Sequence, residues 1–291
     1  MPTPLLTPLQ RQAFADDGFL VLPGFKTAAE CAEVCTRARQ IVDAFQPDRE
    51  TGVFSTRDRN RMADAALLAS ATEVRCFFEE EAFDAAGALR VPQARAINKI
   101  GHALHDRDPV FRAFATGPAL AALAADLGLA RPQVWQSQVI FKQPHIGGEV
   151  GWHQDASFFV TTPQTVVTFW FALEDATVDN GCLWVQPGGH TGPLREQYLC
   201  EERDPQRPGS GRLRMQALDA MPWPGMDLAV PLPVAAGTLV VFHGLLPHYS
   251  APNRSTGSRL ACTLHVTDGR AAYAPQNWLQ RGPDRPAPGL D

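Results

Sequence analysis

One feature constrains the fold more than any other: a series of five apolar runs in the second half of the chain. QVWQSQVIFK (133–142), TVVTFWFALE (165–174), CLWV (182–185), TLVVFH (238–243) and RLACTLHV (259–266) are β-branched and aromatic, and Pro, Gly, Asn and Asp separate them. Such runs, bounded by turn residues, read as strands. No helical pattern alternates with them, so an antiparallel sandwich or barrel is favoured over a parallel sheet, which needs a crossover between strands. A chain of 291 residues, 45% hydrophobic and 20% charged, suffices for one large domain of this kind.

Residues 1–130 read as a mostly helical cover for one face of that core. Thr27-Ala28-Ala29-Glu30 is a capping box, and Cys31, Val34, Cys35, Ala38, Ile41, Val42 and Phe45 trace a helical stripe behind it. Asp108-Pro109 is a helix start, and Gly117-Pro118 divides the Ala-rich pattern that follows. DGFLVLPGF (17–25) reads as a short strand closed by a Pro-Gly turn. Residues 131–270 form the expected β core. Within it 187–230, rich in Pro, Gly, Arg and Glu, is too long for a plain connection and suggests a lid-like excursion. The segment 47–61 has similar composition and is the other candidate lid. Residues 271–291 read as a Pro-rich C-terminal tail.

Net charge of −5 and a pI near 5.9, without a Lys/Arg-rich tract, argue against a nucleic-acid partner. The N-terminus lacks a signal-peptide pattern, and no apolar run approaches the ~18 residues of a membrane span. The expected location is cytoplasmic, with no membrane partner. Cys31, Cys35, Cys76, Cys182, Cys200 and Cys262 include no C-x-x-C pair and read as small buried apolar residues.

The chemistry concentrates in GEVGWHQDASFF (148–159). On a strand, alternate residues share a face, so His153 and Asp155 would point the same way. Two histidines and one carboxylate on one face of an octahedron bind Fe(II) in non-haem oxygenases. The third ligand must come from a distant strand. Candidates are His190, His243, His248 and His265. His190 lies in a Pro-Gly-Gly-His turn, a poor place for a held ligand, and His243 ends an apolar strand. His248 follows a turn with room for several strands between it and His153, and is favoured. In RLACTLHV, alternation puts Arg259, Ala261, Thr263 and His265 on one face and Leu260, Cys262, Leu264 and Val266 on the other. An inward arginine is costly unless paired, and its planar fork fits a carboxylate. That suggests a dicarboxylic co-substrate.

His153-Gln154-Asp155, His248 and Arg259 at plus eleven, together with DGFLVLPGF, INKIGHALH (97–105), IFKQPH (140–145), HQDASF, EDAT, NGCLW and NWLQ, resemble the phytanoyl-CoA dioxygenase family over nearly the full length. The resemblance implies a double-stranded β-helix (jelly roll, cupin-like). It implies Fe(II) on His153, Asp155 and His248, with 2-oxoglutarate and O2 as co-substrates. It further implies that Arg259 and Ser250 bind the far carboxylate and that Lys99, Gln154 and Trp170 line the co-substrate pocket. Gln138 stands at a pocket position that carries methionine in the branch it resembles. Related enzymes bind halide where the carboxylate is replaced by glycine or alanine. Asp155 is kept, so hydroxylation or desaturation of a small organic molecule is expected. Two other classes share the ligand set: a cupin-like Zn²⁺ or Mn²⁺ hydrolase or isomerase, and a non-catalytic ligand-binding protein. The first needs no inward arginine, and the intact ligands argue against the second.

Overall fold

The computed structural model describes residues 4–47, 52–54, 64–204 and 210–291. Its main sheet has eight strands, in the spatial order Phe19–Leu22, Leu239–His243, Val167–Ala172, Arg259–Asp268, Pro132–Lys142, Ile97–His102, Val74–Glu79 and Val53–Phe54. Its neighbours pair antiparallel, except for a parallel contact between the last two. A second sheet runs Val230–Leu232, Leu183–Val185, His248–Ser250 and Val150–His153. The two sheets pack face to face as a double-stranded β-helix.

Strand alternation sorts the side chains into layers. Phe169, Phe171, Leu239, Val241, Leu260, Cys262 and Leu264 point outward and join the helices in the largest core cluster. Trp170, Ala172, Val240, Phe242 and Ala261 point inward and meet Leu183, Val185 and Leu232 of the second sheet. The faces expected for RLACTLHV are those observed. Helix Ala28–Ala44 begins at the predicted capping box, with the Glu30 carboxylate accepting from the Thr27 N–H at 2.8 Å. It buries Cys31, Val34, Cys35, Ala38 and Val42 against the outer face. Phe171 there meets Phe114 of helix Pro109–Ala115 at a centroid distance of 5.0 Å. Each fully buried side chain of this size stabilises the fold by about 1.5–3 kcal/mol.

The first 130 residues hold six helices among the described residues, and they do more than cover the sheet. They supply four strands of the main sheet: Phe19–Leu22, Val53–Phe54, Val74–Glu79 and Ile97–His102. Ile97–His102 is buried at all six positions, so no polar alternation marks it as a strand. The C-terminal segment 271–291 is mostly irregular but packs onto the core. Trp278, Leu279, Ala287 and Leu290 are buried, and the Leu290 carbonyl accepts from the Gly117 N–H at 2.8 Å. The excursion 187–230 contains a hairpin, Glu196–Glu201 with Arg212–Ala217. Most of 47–61 lies outside the described residues.

His105 gives the fold a pH dependence. Its Nδ1 meets Ser137 Oγ at 2.6 Å, and burial pushes its pKa down to about 4. Between pH 6.5 and 4 the unfolded chain therefore holds a proton that the folded one does not, and stability falls as pH falls through that window. The loss from this residue is about 1 kcal/mol at pH 5.5. Calorimetry should show the melting temperature dropping from pH 7 to 5.5, with a shallower drop in His105→Gln.

Candidate active site

His153 ends the strand Val150–His153, and His248 opens the strand directly beside it, in register. Asp155 lies past the strand end, at the start of a short helical turn, Asp155–Ser157. Strand periodicity therefore does not aim it. Even so, its Oδ1 lies 3.6 Å from His153 Nε2 and 3.7 Å from His248 Nε2. One ligand atom from each residue falls within 4.8 Å of the others, the only such group among the described residues. The geometry selects His248 from the four candidates. His153 Nδ1 contacts the Gly151 carbonyl at 2.8 Å and His248 Nδ1 the Leu246 carbonyl at 2.9 Å. Each contact places the proton on Nδ1 and leaves the Nε2 lone pair for a metal. Burial, then His248, pushes the His153 pKa down to about 3, so its imidazole is neutral at physiological pH.

Sequence reasoning missed what holds Asp155. Its Oδ2 accepts from Thr168 Oγ1 at 2.6 Å and faces His265 Nε2 at 3.3 Å. Oδ2 is thereby occupied and Oδ1 is left for the metal. Burial alone would raise this carboxyl, but His265, His248 and His153 together outweigh burial and hold it well below the usual carboxylate range. His265 was weighed as a ligand, yet it reaches the wrong oxygen for that role. Thr168, a polar residue at the inward phase of TVVTFWFALE, was the available signal. Loss of such an outer partner typically costs 10–100-fold in metal affinity. Thr168→Val is expected to weaken Fe(II) binding by roughly tenfold, measured by metal titration, with little change in 2-oxoglutarate affinity at saturating iron.

At the other end of the same inward face, Arg259 is 2% exposed. Its Nη2 donates to Ser250 Oγ at 3.4 Å, while Nε and Nη1 are buried without a partner. Trp170 packs beside it, with its ring 5.6 Å from the guanidinium carbon. The expected group Arg259, Ser250 and Trp170 is therefore assembled. Buried donors without acceptors are rare and costly, and two on one planar fork fit a carboxylate.

A cavity of about 190 Å³ opens beside the ligands, lined by His153, Asp155, Lys99, Gln138, Gln136 and His265 on its polar side. Leu67, Phe158, Phe159, Tyr198, Met215, Trp152 and Trp278 line the rest. Lys99 lies inside the cavity, not at a sheet edge, and burial lowers its pKa to about 7. Gln138 Oε1 is buried without a partner. Gln154 departs from expectation. Its amide donates to the carbonyls of Pro193 (3.0 Å) and Leu245 (2.8 Å) and accepts from the Arg195 N–H (2.9 Å). Fully engaged and absent from the cavity wall, it braces the turn leading to His248. Tyr198 and Met215 come from the hairpin, within the expected lid-like excursion, and Trp278 from the C-terminal segment, a contribution that was not visible in the sequence.

A double-stranded β-helix with two histidines and one carboxylate beside an interior cavity is the arrangement of the non-haem Fe(II) oxygenases. The model of the phytanoyl-CoA dioxygenase (PhyH) family matches residues 14–261, and the chain belongs to that family. It is 42% identical to phytanoyl-CoA dioxygenase domain-containing protein 1 of Mus musculus, over 98% of each chain. Two solved structures share the fold at low identity. The epimerase SnoN, in complex with Fe3+, alpha ketoglutarate and nogalamycin RO, has a TM-score of 0.63 at 21% identity, covering 97% of this chain and 91% of SnoN. EctD from S. alaskensis, with 2-oxoglutarate and 5-hydroxyectoine, has a TM-score of 0.62 at 20% identity, covering 100% of this chain and 88% of EctD. No helix among the described residues is long and apolar enough to cross a membrane.

Proposed function

We propose that this chain is an Fe(II)- and 2-oxoglutarate-dependent dioxygenase that hydroxylates or desaturates a small organic molecule, with release of succinate and CO2. One observation carries the reading: the strand that brings His248 to the His-Asp-His group also carries Ser250, which accepts from a buried arginine with two unpartnered nitrogens. Imidazole and carboxylate ligands on one face suit Fe(II), and the Arg259 fork suits a dicarboxylate. The Fe3+ and alpha ketoglutarate bound in SnoN and the 2-oxoglutarate bound in EctD support the same assignment.

Asp155 Oδ1 and the Nε2 atoms of His153 and His248 would hold the metal. With 2-oxoglutarate and O2, the iron supplies the oxidising power for attack on an unactivated C–H bond. Arg259 and Ser250 would grip the far carboxylate, Trp170 closing over the guanidinium. Lys99 and Gln138 would add polar contacts nearer the metal. Phe158, Tyr198, Met215 and Trp278 keep water from the reacting centre and offer apolar contact to the substrate. Hydrolysis or isomerisation at a Zn²⁺ or Mn²⁺ ion would leave the Arg259 nitrogens unused. Fe(II) and 2-oxoglutarate, added without oxygen, should give a weak visible charge-transfer band, and air should then yield succinate. Absence of both sinks the reading.

A further inference from the structure

The strand pair that carries Arg259 holds a second buried cation. Lys142 sits directly opposite Arg259 in register, and each residue is 2% exposed. Like charges on opposed positions repel, and burial removes the water that would screen them. Among the described residues, no carboxylate lies within ion-pair distance of either side chain. Glu79 and Glu149 act on Lys142, and Glu174 on Arg259, only from beyond that distance, so the pair still attracts an anion.

The two cations are used differently. Lys142 Nζ donates to the carbonyls of Gly148 (2.7 Å), Ser250 (3.1 Å) and Ala251 (2.6 Å). Burial, then Arg259, pushes its pKa well below the usual lysine value. Three carbonyl acceptors nonetheless require three N–H bonds, which only the ammonium has. The Gly148 peptide is held from its other side as well, its N–H donating to Glu79 Oε2 at 3.1 Å. Lys142 thus has no N–H left for a ligand and is fixed in place. Its position behind Ser250 adds positive potential where Arg259 Nε and Nη1 await an acceptor.

We infer that Lys142 is a positioning and selectivity residue: it supplies a second, non-contacting positive charge at the distal end of the co-substrate site and so favours dicarboxylic 2-oxo acids over monocarboxylic ones. The inference rests on the 2-oxoglutarate reading of that site. A group that acts by charge affects only the ligand that carries the distal carboxylate. A mere brace for the Ser250 strand affects both kinds of ligand alike.

The experiment uses the full chain loaded with Fe(II) without oxygen, titrated separately with 2-oxoglutarate and 2-oxobutanoate, which has the same keto-acid end but no distal carboxylate. In Lys142→Met, 2-oxoglutarate affinity should fall about tenfold and 2-oxobutanoate affinity by less than about twofold. Equal losses for both ligands, or no loss for either, overturn the inference. Should Lys142→Met fail to fold, Glu79→Gln tests the same field with opposite sign. It keeps the acceptor for Gly148 and removes the nearby negative charge, so the preference for 2-oxoglutarate over 2-oxobutanoate should rise about twofold or more. An unchanged or reduced preference overturns the inference. A wild-type protein that binds no 2-oxoglutarate would instead sink the functional reading itself.

Discussion

Replacing Arg259 with alanine is expected to weaken 2-oxoglutarate binding by a hundredfold or more (about 3 kcal/mol) while leaving Fe(II) affinity nearly unchanged. The size follows from burial. A carboxylate held by a planar fork in a site 2% exposed loses charge-assisted hydrogen bonds that water cannot replace. Truncating one partner of such a pair costs about 2–5 kcal/mol. Iron is spared because no metal ligand touches Arg259, whose one polar contact is Ser250. Stability should move little, since the substitution also removes a buried charge that the folded chain leaves partly unpaired. Arg259→Lys should recover only part of the affinity, because an ammonium is a point charge without the two-point fork. Anaerobic titration of the iron-loaded protein measures each value. Parallel loss of iron and 2-oxoglutarate would refute the assignment.

The second large effect is a graded series across the histidines. His248→Ala removes a ligand and should abolish succinate formation, with iron affinity falling by more than the roughly 10–100-fold expected for an outer partner. His265→Ala removes the contact to Asp155 Oδ2 at 3.3 Å and should fall inside that range. His190→Ala and His243→Ala should leave iron affinity unchanged. Those two rings lie 5.3 Å from each other, and neither belongs to the metal-binding group. Metal titration of the four variants ranks them. Equal effects at His243 and His248 would break the site assignment.

Legibility varied with the kind of signal. The faces of RLACTLHV were readable because period-two alternation is a local property, and it put Arg259 inward and Leu260 and Cys262 under the helices. The capping box at Thr27 was readable for the same reason. INKIGH was not recognisable as a strand. It is buried on both sides, and a strand without a polar face has no alternation to detect. Lys99 consequently carried no local signal of its own, and only the family resemblance put it in the pocket that it lines. Gln154 is the reverse case. The family resemblance implied a pocket role, but three backbone groups from distant loops claim its amide.

The sequence by itself determined the strand-rich half, the inward phase of Arg259 and a ligand pair two residues apart. These follow from hydrophobic period and residue chemistry, which are written locally along the chain. The sequence already favoured His248, and tertiary structure supplies the reason: its strand pairs with that of His153 in register. Tertiary structure also turned Asp155 past a strand end so that one oxygen faces the histidines and the other faces Thr168. Tyr198, Met215 and Trp278 reach the same cavity from two distant segments. Contacts of this kind depend on which strands adjoin, and that is fixed by burial of the whole core.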